Sequence, residues 1–159
     1  MDYYGKIAKG YDELYEEEQA NKLSIIKDNI KISKNTKILD IGCGTGVSSN
    51  FGCFVAGIDP SMELLSHNKC RRKVCGIAES LPFKDNSFDY VICVTAIHNF
   101  DDINKSLEEM KRVCNGHFII TILKRSRKFN MIKRIIGKKF KVYKMKEESK
   151  DAILFCRKP

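Results

Sequence analysis

Apolar and polar positions along the chain alternate between short continuous apolar runs and stretches with helical spacing. Residues 6–30 set Ile7, Leu14, Leu23, Ile26 and Ile30 among charged positions, a helical pattern in which Gly10 predicts a break between a short helix and a longer one. Residues 37–41 and 54–58 are apolar runs of strand length. Only seven residues separate Gly46 from Phe54. A crossover helix with its loops ordinarily takes about ten or more, so any helix there has about two turns or fewer. Ser61 is a predicted N-cap, with Glu63 in the first turn, for a helix reaching residue 69. Residues 73–78 form a third candidate strand, and residues 88–96, apolar at nearly every position, a fourth that is buried on both faces. Asp101 or Asp102 then caps a helix to Val113 with Leu107, Met110 and Val113 on one face. Residues 116–123 read as a fifth strand. Phe129, Ile132, Ile135 and Ile136 predict a helix ending at Gly137, followed by closing strands at 140–143 and 152–156 around a polar turn. The alternation of β and α elements predicts an α/β fold with a parallel, doubly wound sheet.

Length and composition narrow this picture. A chain of 159 residues is expected to form one domain. No apolar stretch approaches the ~20 residues that cross a bilayer, and Met1-Asp2-Tyr3-Tyr4 lacks the charged-then-apolar start of a signal peptide. The seven cysteines, at 43, 53, 70, 75, 93, 114 and 156, form an odd set with no C-x-x-C pair. That argues against a disulfide framework and a zinc ribbon, and predicts that Cys93 and Cys156, within apolar strand patterns, and Cys114, at a helix end, are small buried hydrophobes in a reducing cytosol, with no metal site. A cytoplasmic protein is therefore expected. The net charge of +9 arises entirely in residues 81–159, because residues 1–80 balance 11 basic against 11 acidic side chains. Between Lys124 and Lys150 stand 12 basic residues against Glu147 and Glu148 alone. Such a segment suits either an anionic partner, RNA included, or a well-solvated surface.

Chemistry concentrates in the run Ile38-Leu39-Asp40-Ile41-Gly42-Cys43-Gly44-Thr45-Gly46 and in the following strand, which ends Val55-Ala56-Gly57-Ile58-Asp59. Glycines at alternate positions after a buried strand let the backbone approach a nucleoside, and a carboxylate ending the next strand can accept both ribose hydroxyls. A dinucleotide fingerprint would place its third glycine one position later, where Val47 stands. The spacing instead resembles motif I, D-x-G-x-G-x-G, of the class I S-adenosylmethionine-dependent methyltransferases, and Gly57-Ile58-Asp59-Pro60-Ser61 resembles their next motif. Gly76-Ile77-Ala78-Glu79-Ser80-Leu81-Pro82-Phe83 and Asp85-Asn86-Ser87-Phe88-Asp89 resemble segments of the branch that includes ubiquinone and menaquinone methyltransferases, methyltransferase domain type 11. Residues 3–19 resemble that branch's N-terminal lid. The resemblance implies a Rossmann-like, seven-stranded, mostly parallel sheet in the order 3-2-1-4-5-7-6 with an antiparallel last strand. It also implies a compact single domain, with a helical lid at 1–34 and a core at 35–159.

The same resemblance implies an enzyme that uses S-adenosylmethionine and releases S-adenosylhomocysteine. Gly42, Gly44 and Gly46 would lie against the methionine and ribose portions, with Cys43 packing inside the loop. Asp40 would steer the amino group and Asp59 would take the ribose hydroxyls. Pro60, Ser61 and Met62 would border the adenine, Ala78 would offer its backbone N–H, and Glu79 or Ser80 would substitute for the aspartate that the family often has where Ile77 stands here. Tyr4 and Tyr11 would close over the cofactor, and Thr95 would contribute backbone contacts. His98, in Thr95-Ala96-Ile97-His98-Asn99-Phe100 after the fourth strand, is the candidate general base. The branch implies a small-molecule acceptor. The alternatives are a tRNA or protein acceptor reached through Arg125, Arg127, Lys128, Lys133 and Arg134, with a partner subunit, or a non-catalytic S-adenosylmethionine-binding scaffold. Ile97-His98-Asn99-Phe100 also resembles a segment of wobble-uridine tRNA methyltransferases.

Overall fold

The computed structural model of the chain describes residues 3–159, with side chains from residue 13 onward apart from that of Ser49. Two units emerge, one ending at Lys31 and the other spanning Ile32–Pro159. In the first, helix α1 covers Tyr3–Asn29 without interruption, so the break expected at Gly10 does not occur. A glycine within a helix costs about 1 kcal/mol relative to alanine, and a long run of good helix formers around it outweighs that.

The second unit holds a seven-stranded sheet in the order β3-β2-β1-β4-β5-β7-β6, the order that the motif resemblance implies. Its strands are β1 (Lys37–Ile41), β2 (Phe54–Asp59), β3 (Lys73–Cys75), β4 (Phe88–Cys93), β5 (Cys114–Leu123), β6 (Lys141–Glu147) and β7 (Asp151–Arg157). The first five pair in parallel, whereas β7 runs antiparallel to both β5 and β6 and is inserted between them. Helices α2 (Met62–His67), α3 (Ile103–Val113) and α4 (Phe129–Lys139) connect them. Ser61 caps α2 by accepting from Leu64 N, and Asp102, not Asp101, caps α3 by accepting from Lys105 N at 3.0 Å. Ile38, Leu39, Val91 and Ile92 are all fully buried, the two-sided burial that continuous apolar runs predict. One face packs Leu39, Val91, Phe118, Ile120 and Leu154 against Leu107 and Met110 of α3 and Ile132 and Ile136 of α4.

Several boundaries shift from the sequence reading for identifiable reasons. The β1–β2 crossover is reduced to one 3-10 turn, Val47–Ser49, within the limit set by seven residues. β3 stops at Cys75, and α2 stops at His67 because Asn68 takes an extended conformation and donates its N–H to Leu65 O. β4 ends at Cys93 because Thr95 adopts φ 53°, held by Thr121 Oγ1, which accepts from Thr95 N at 2.7 Å. α4 runs through Gly137 to Lys139, with no atom near enough to that glycine to require its lack of a side chain. β6 extends to Glu147 as an edge strand exposed along its length. Cys43, Cys93, Cys114 and Cys156 are buried, and all seven cysteines are free. Burial pushes the Cys114 thiol up to about 11 and that of Cys156 up to about 12, so both stay protonated near neutral pH and act as small apolar side chains.

The Leu81-Pro82-Phe83 segment is tied to α3 by two side chains, Arg112 and Glu109. Arg112 donates to Leu81 O at 2.9 Å, Phe83 O at 2.8 Å, Asp85 Oδ1 at 2.9 Å and both oxygens of Glu109, while Glu109 Oε2 accepts from Leu81 N at 2.7 Å. Hydrogen bonds to charged groups are worth about 1.5–3 kcal/mol each, less where solvent reaches them. Arg112→Met is therefore expected to cost about 2 kcal/mol, read by calorimetry as a midpoint lower by roughly 4–8 °C. A midpoint unchanged within a degree or so would show that Arg112 does not hold the segment.

Candidate functional site

The site forms where the C-terminal ends of β1 and β2 meet. Gly42 leaves β1 at φ 75°, its N–H donating to Ile58 O at 2.8 Å. A Cβ at this position would lie 2.5 Å from Ala96 Cβ, so only glycine lets the loop pass the β4 end. Gly46, at φ 87°, closes the loop by donating to Cys43 O at 2.8 Å, and its open side is filled by the Asn68 side chain. Asn68 is 2% exposed. Its amide donates to Gly44 O at 3.0 Å and accepts from Cys70 N at 2.8 Å, bracing the glycine loop from below α2.

Asp59 joins the two strands at this end. Its Oδ2 accepts from Gly44 N at 2.9 Å and its Oδ1 from Ser61 N at 2.9 Å. Each oxygen keeps lone-pair capacity for a further donor. Asp40, in β1 two residues before Gly42, is 1% exposed. Ser48 Oγ donates to its Oδ2, while its buried Oδ1 has no hydrogen-bond partner among the described residues. Burial, opposed by the Ser48 hydrogen bond and assisted by the negative charge of Asp59, pushes the Asp40 carboxyl up to about 7.

Beside these groups lies a pocket of about 140 Å³, lined by Gly42, Pro60, Ile77, Ala78, Glu79 and Phe100 among others. Four residues expected from the motifs, Gly42, Pro60, Ala78 and Glu79, thus share one lining. Gly44, Asp59 and Ser61 are joined by hydrogen bonds next to it. Glu79 Oε1 accepts from Asp102 N at 3.1 Å and so also anchors the start of α3. Ile77 is half exposed at the rim and Met62 is 67% exposed on α2. Cys43 is buried against Gly57, where a Cβ would meet its sulfur at 2.7 Å. Thr95 is held by its backbone bond to Thr121 and by its hydroxyl, which donates to Asp151 Oδ2 at 2.9 Å. His98 is half-buried in the 3-10 turn Ile97–Asn99, its carbonyl accepting from Lys128 Nζ at 3.1 Å. It does not line the pocket, whereas its neighbours Asn99, Phe100 and Asp101 do. The side chains of Tyr4 and Tyr11 lie outside the described residues.

Asn68 and Ser48 have no counterpart in the sequence reading, where Asp101 figures only as a candidate helix cap and not as a pocket residue. Asn68 acts on a loop 24 residues away and carries no local pattern. Ser48 and Asp101 do sit beside segments that the reading singled out, the glycine loop and the stretch after β4.

A family model described as a methyltransferase domain matches residues 39–120. Protein MJ1252 of Methanocaldococcus jannaschii is 38% identical over 130 residues, covering 76% of this chain and 50% of its own. A demethylmenaquinone methyltransferase of Staphylococcus aureus is 34% identical over 142 residues, covering 77% and 58%. This chain spans about half the length of the curated relatives that it matches. Among solved structures, a methyltransferase of Thermotoga maritima, titled S-adenosylmethionine-dependent and a possible histamine N-methyltransferase, superposes over 100% of both chains with a TM-score of 0.75 at 20% identity, a likeness of fold. With slightly more than half of its residues under the family model, the chain belongs to the class I S-adenosylmethionine-dependent methyltransferases.

Proposed function

We propose that this chain binds S-adenosylmethionine at the C-terminal ends of β1 and β2 and transfers its methyl group to a small-molecule acceptor. One observation carries the reading: both oxygens of Asp59 are held by backbone N–H groups of the two adjoining turns, beside a buried Asp40 oxygen that lacks a partner among the described residues. When bound, S-adenosylmethionine supplies a methyl group already activated on a sulfonium. Asp59 would accept from the ribose hydroxyls through its remaining lone pairs, and Asp40 would accept from the ammonium group. Gly42, Gly44 and Gly46 would let the backbone lie against the methionine and ribose. Pro60, Ser61, Met62, Ile77 and Ala78 would border the adenine. Thr95, fixed by Thr121 and Asp151, would hold the turn that carries the acceptor side of the pocket. Alignment is the main demand on the protein, because an in-line displacement from a good leaving group gains most of its rate from proximity. His98 would take a proton only from an acceptor that must lose one. The 34% identity to a demethylmenaquinone methyltransferase supports a small acceptor.

A second reading, transfer to tRNA, is favoured by the contact of Lys128 with the His98 carbonyl, which sets the start of the basic α4 next to the turn lining the pocket. Arg125, Arg127, Lys133 and Arg134 form no ion pair with described residues. Calorimetry with S-adenosylmethionine and S-adenosylhomocysteine tests the shared core, and single-site binding of both is expected; failure of both to bind would overturn it. Label from methyl-tritiated S-adenosylmethionine in a cell extract is then expected in the low-molecular-weight fraction. Label in RNA would establish the second reading, and binding without transfer would establish the scaffold.

Asp40 also predicts a pH dependence. Its folded value of about 7 lies above the ordinary carboxyl range, so between about pH 4 and 7 the folded protein holds a proton that the unfolded chain has released. The stability of the ligand-free protein is thus expected to fall across that window and to level off above it, and Asp40→Asn is expected to remove this component. A ligand carrying an ammonium group binds the ionised form. Its affinity is expected to rise by up to about tenfold per pH unit towards pH 7 in the parent protein and to stay flat in Asp40→Asn. Parallel profiles for the two proteins in calorimetry would remove Asp40 from the site.

A further inference from the structure

The shortened β1–β2 crossover leaves room on its own side of the sheet. Between the 3-10 turn Val47–Ser49 and the connection from α2 to β3 lies a cavity of about 400 Å³, lined by Gly46, Asn50, Cys53, Lys69, Arg71 and Arg72 among others. It shares no lining residue with the pocket at Gly42 and Pro60. Three of its lining side chains are cationic and none is a carboxylate. Lys69 and Arg71 form no ion pair with described residues. The Arg72 guanidinium rests over the Phe54 ring at 4.5 Å, a contact that fixes its position without neutralising it. The wall is braced rather than loose. Asn68 is buried and hydrogen-bonded to Gly44 and Cys70, the Lys73 amine donates to Asn68 O, and Cys70 Sγ donates to Val55 O at 3.5 Å. Within residues 1–80, whose charge balances overall, Lys69, Arg71, Arg72 and Lys73 concentrate positive charge at this one place.

We propose that this cavity binds a phosphate group. Two guanidinium forks and an ammonium, with no competing carboxylate in the lining, match a tetrahedral oxyanion. The space of about 400 Å³ also admits a phosphate carried on a larger ligand. That carrier is either a small phosphorylated molecule or a nucleic-acid backbone crossing the cavity. The proposal does not depend on which acceptor the methyltransferase site serves.

The test uses the whole chain at low ionic strength, with inorganic phosphate and a short single-stranded RNA as probes. Phosphate is expected to raise the thermal midpoint above that in chloride of equal ionic strength. The double variant Lys69→Glu, Arg71→Glu, exposed at both positions and so expected to fold with an unchanged midpoint in chloride, is expected to lose that rise. RNA binding that is tighter than phosphate binding, weakened about tenfold or more by the double variant, and with a salt slope reduced by about 1.4 for two lost contacts identifies the backbone as ligand. Phosphate binding that RNA does not surpass identifies a small phosphorylated ligand. The proposal is overturned if neither probe binds, if the double variant binds both as the parent does, or if Lys133→Glu, Arg134→Glu on α4 abolishes binding equally.

Discussion

Asp59→Ala is expected to weaken S-adenosylhomocysteine binding by two to three orders of magnitude. The carboxylate does two jobs at one place. It accepts from Gly44 N and Ser61 N, which sets the glycine loop against the start of α2, and its remaining lone pairs face the ribose in the proposed complex. Removing it leaves two backbone donors without their acceptor and takes away the ribose contact. At about 1.5–3 kcal/mol for each bond to a charged group, with part recovered by solvent, the loss comes to about 3–4 kcal/mol, which is the stated range of affinity. Asp59→Asn keeps one strong acceptor and is expected to lose only about tenfold. The variant should also ease the titration of Asp40, whose carboxyl is raised in part by the Asp59 charge. Calorimetry at pH 8 measures the first effect, and a change of less than about threefold in Asp59→Ala would mean that the carboxylate only braces the turn.

Gly42→Ala is expected to lower the thermal midpoint by roughly 5–15 °C and to abolish cofactor binding. A left-handed conformation costs an L-residue about 1–2 kcal/mol, and forcing a methyl into a filled space about 1–3 kcal/mol more. The new methyl would sit 2.5 Å from Ala96 Cβ, on the turn that leads from β4 into the pocket lining, so the strain falls at the proposed binding site. Gly52 supplies the control. Its φ is 67° and nothing lies within 4 Å of the Cβ direction, so Gly52→Ala carries the conformational cost alone and should move the midpoint by only a few degrees. Adding Ala96→Gly to Gly42→Ala should recover the packing share but not the backbone share. If the double variant melts where the single one does, the contact with Ala96 has no part in the effect.

What could be read from the sequence was what is encoded locally. The apolar runs at β1, β2, β4 and β5, the caps at Ser61 and Asp102, and the short β1–β2 crossover each follow from a few adjacent residues and their spacing. So does the glycine loop from Gly42 to Gly46, one contiguous stretch, with Asp59 at the end of the next strand accepting from Gly44 N. What escaped the reading depends on partners far along the chain. Asn68 supports a loop 24 residues before it, and Arg112 clamps a segment 29 to 31 residues before it. Neither polar side chain differs in sequence from an ordinary solvated one. β4 stops short for the same reason, since Thr95 turns the chain under the control of Thr121 and Asp151, which belong to later strands. At Gly10 the error has the opposite origin, a weak local preference overridden by the helix around it.

The order of the strands has a consequence for how the protein is made. β7 is the last of the seven strands to leave the ribosome, yet its place is between β5 and β6. Until it arrives, β5 presents an unpaired edge from His117 to Leu123, a run rich in isoleucine with a phenylalanine at its start. β6 meanwhile has no neighbour to pair with. An exposed apolar edge of that length is a template for intermolecular pairing. The nascent chain is therefore most vulnerable to aggregation in the interval between the emergence of β5 and the insertion of β7, and a chaperone that shields strand edges would act in that interval.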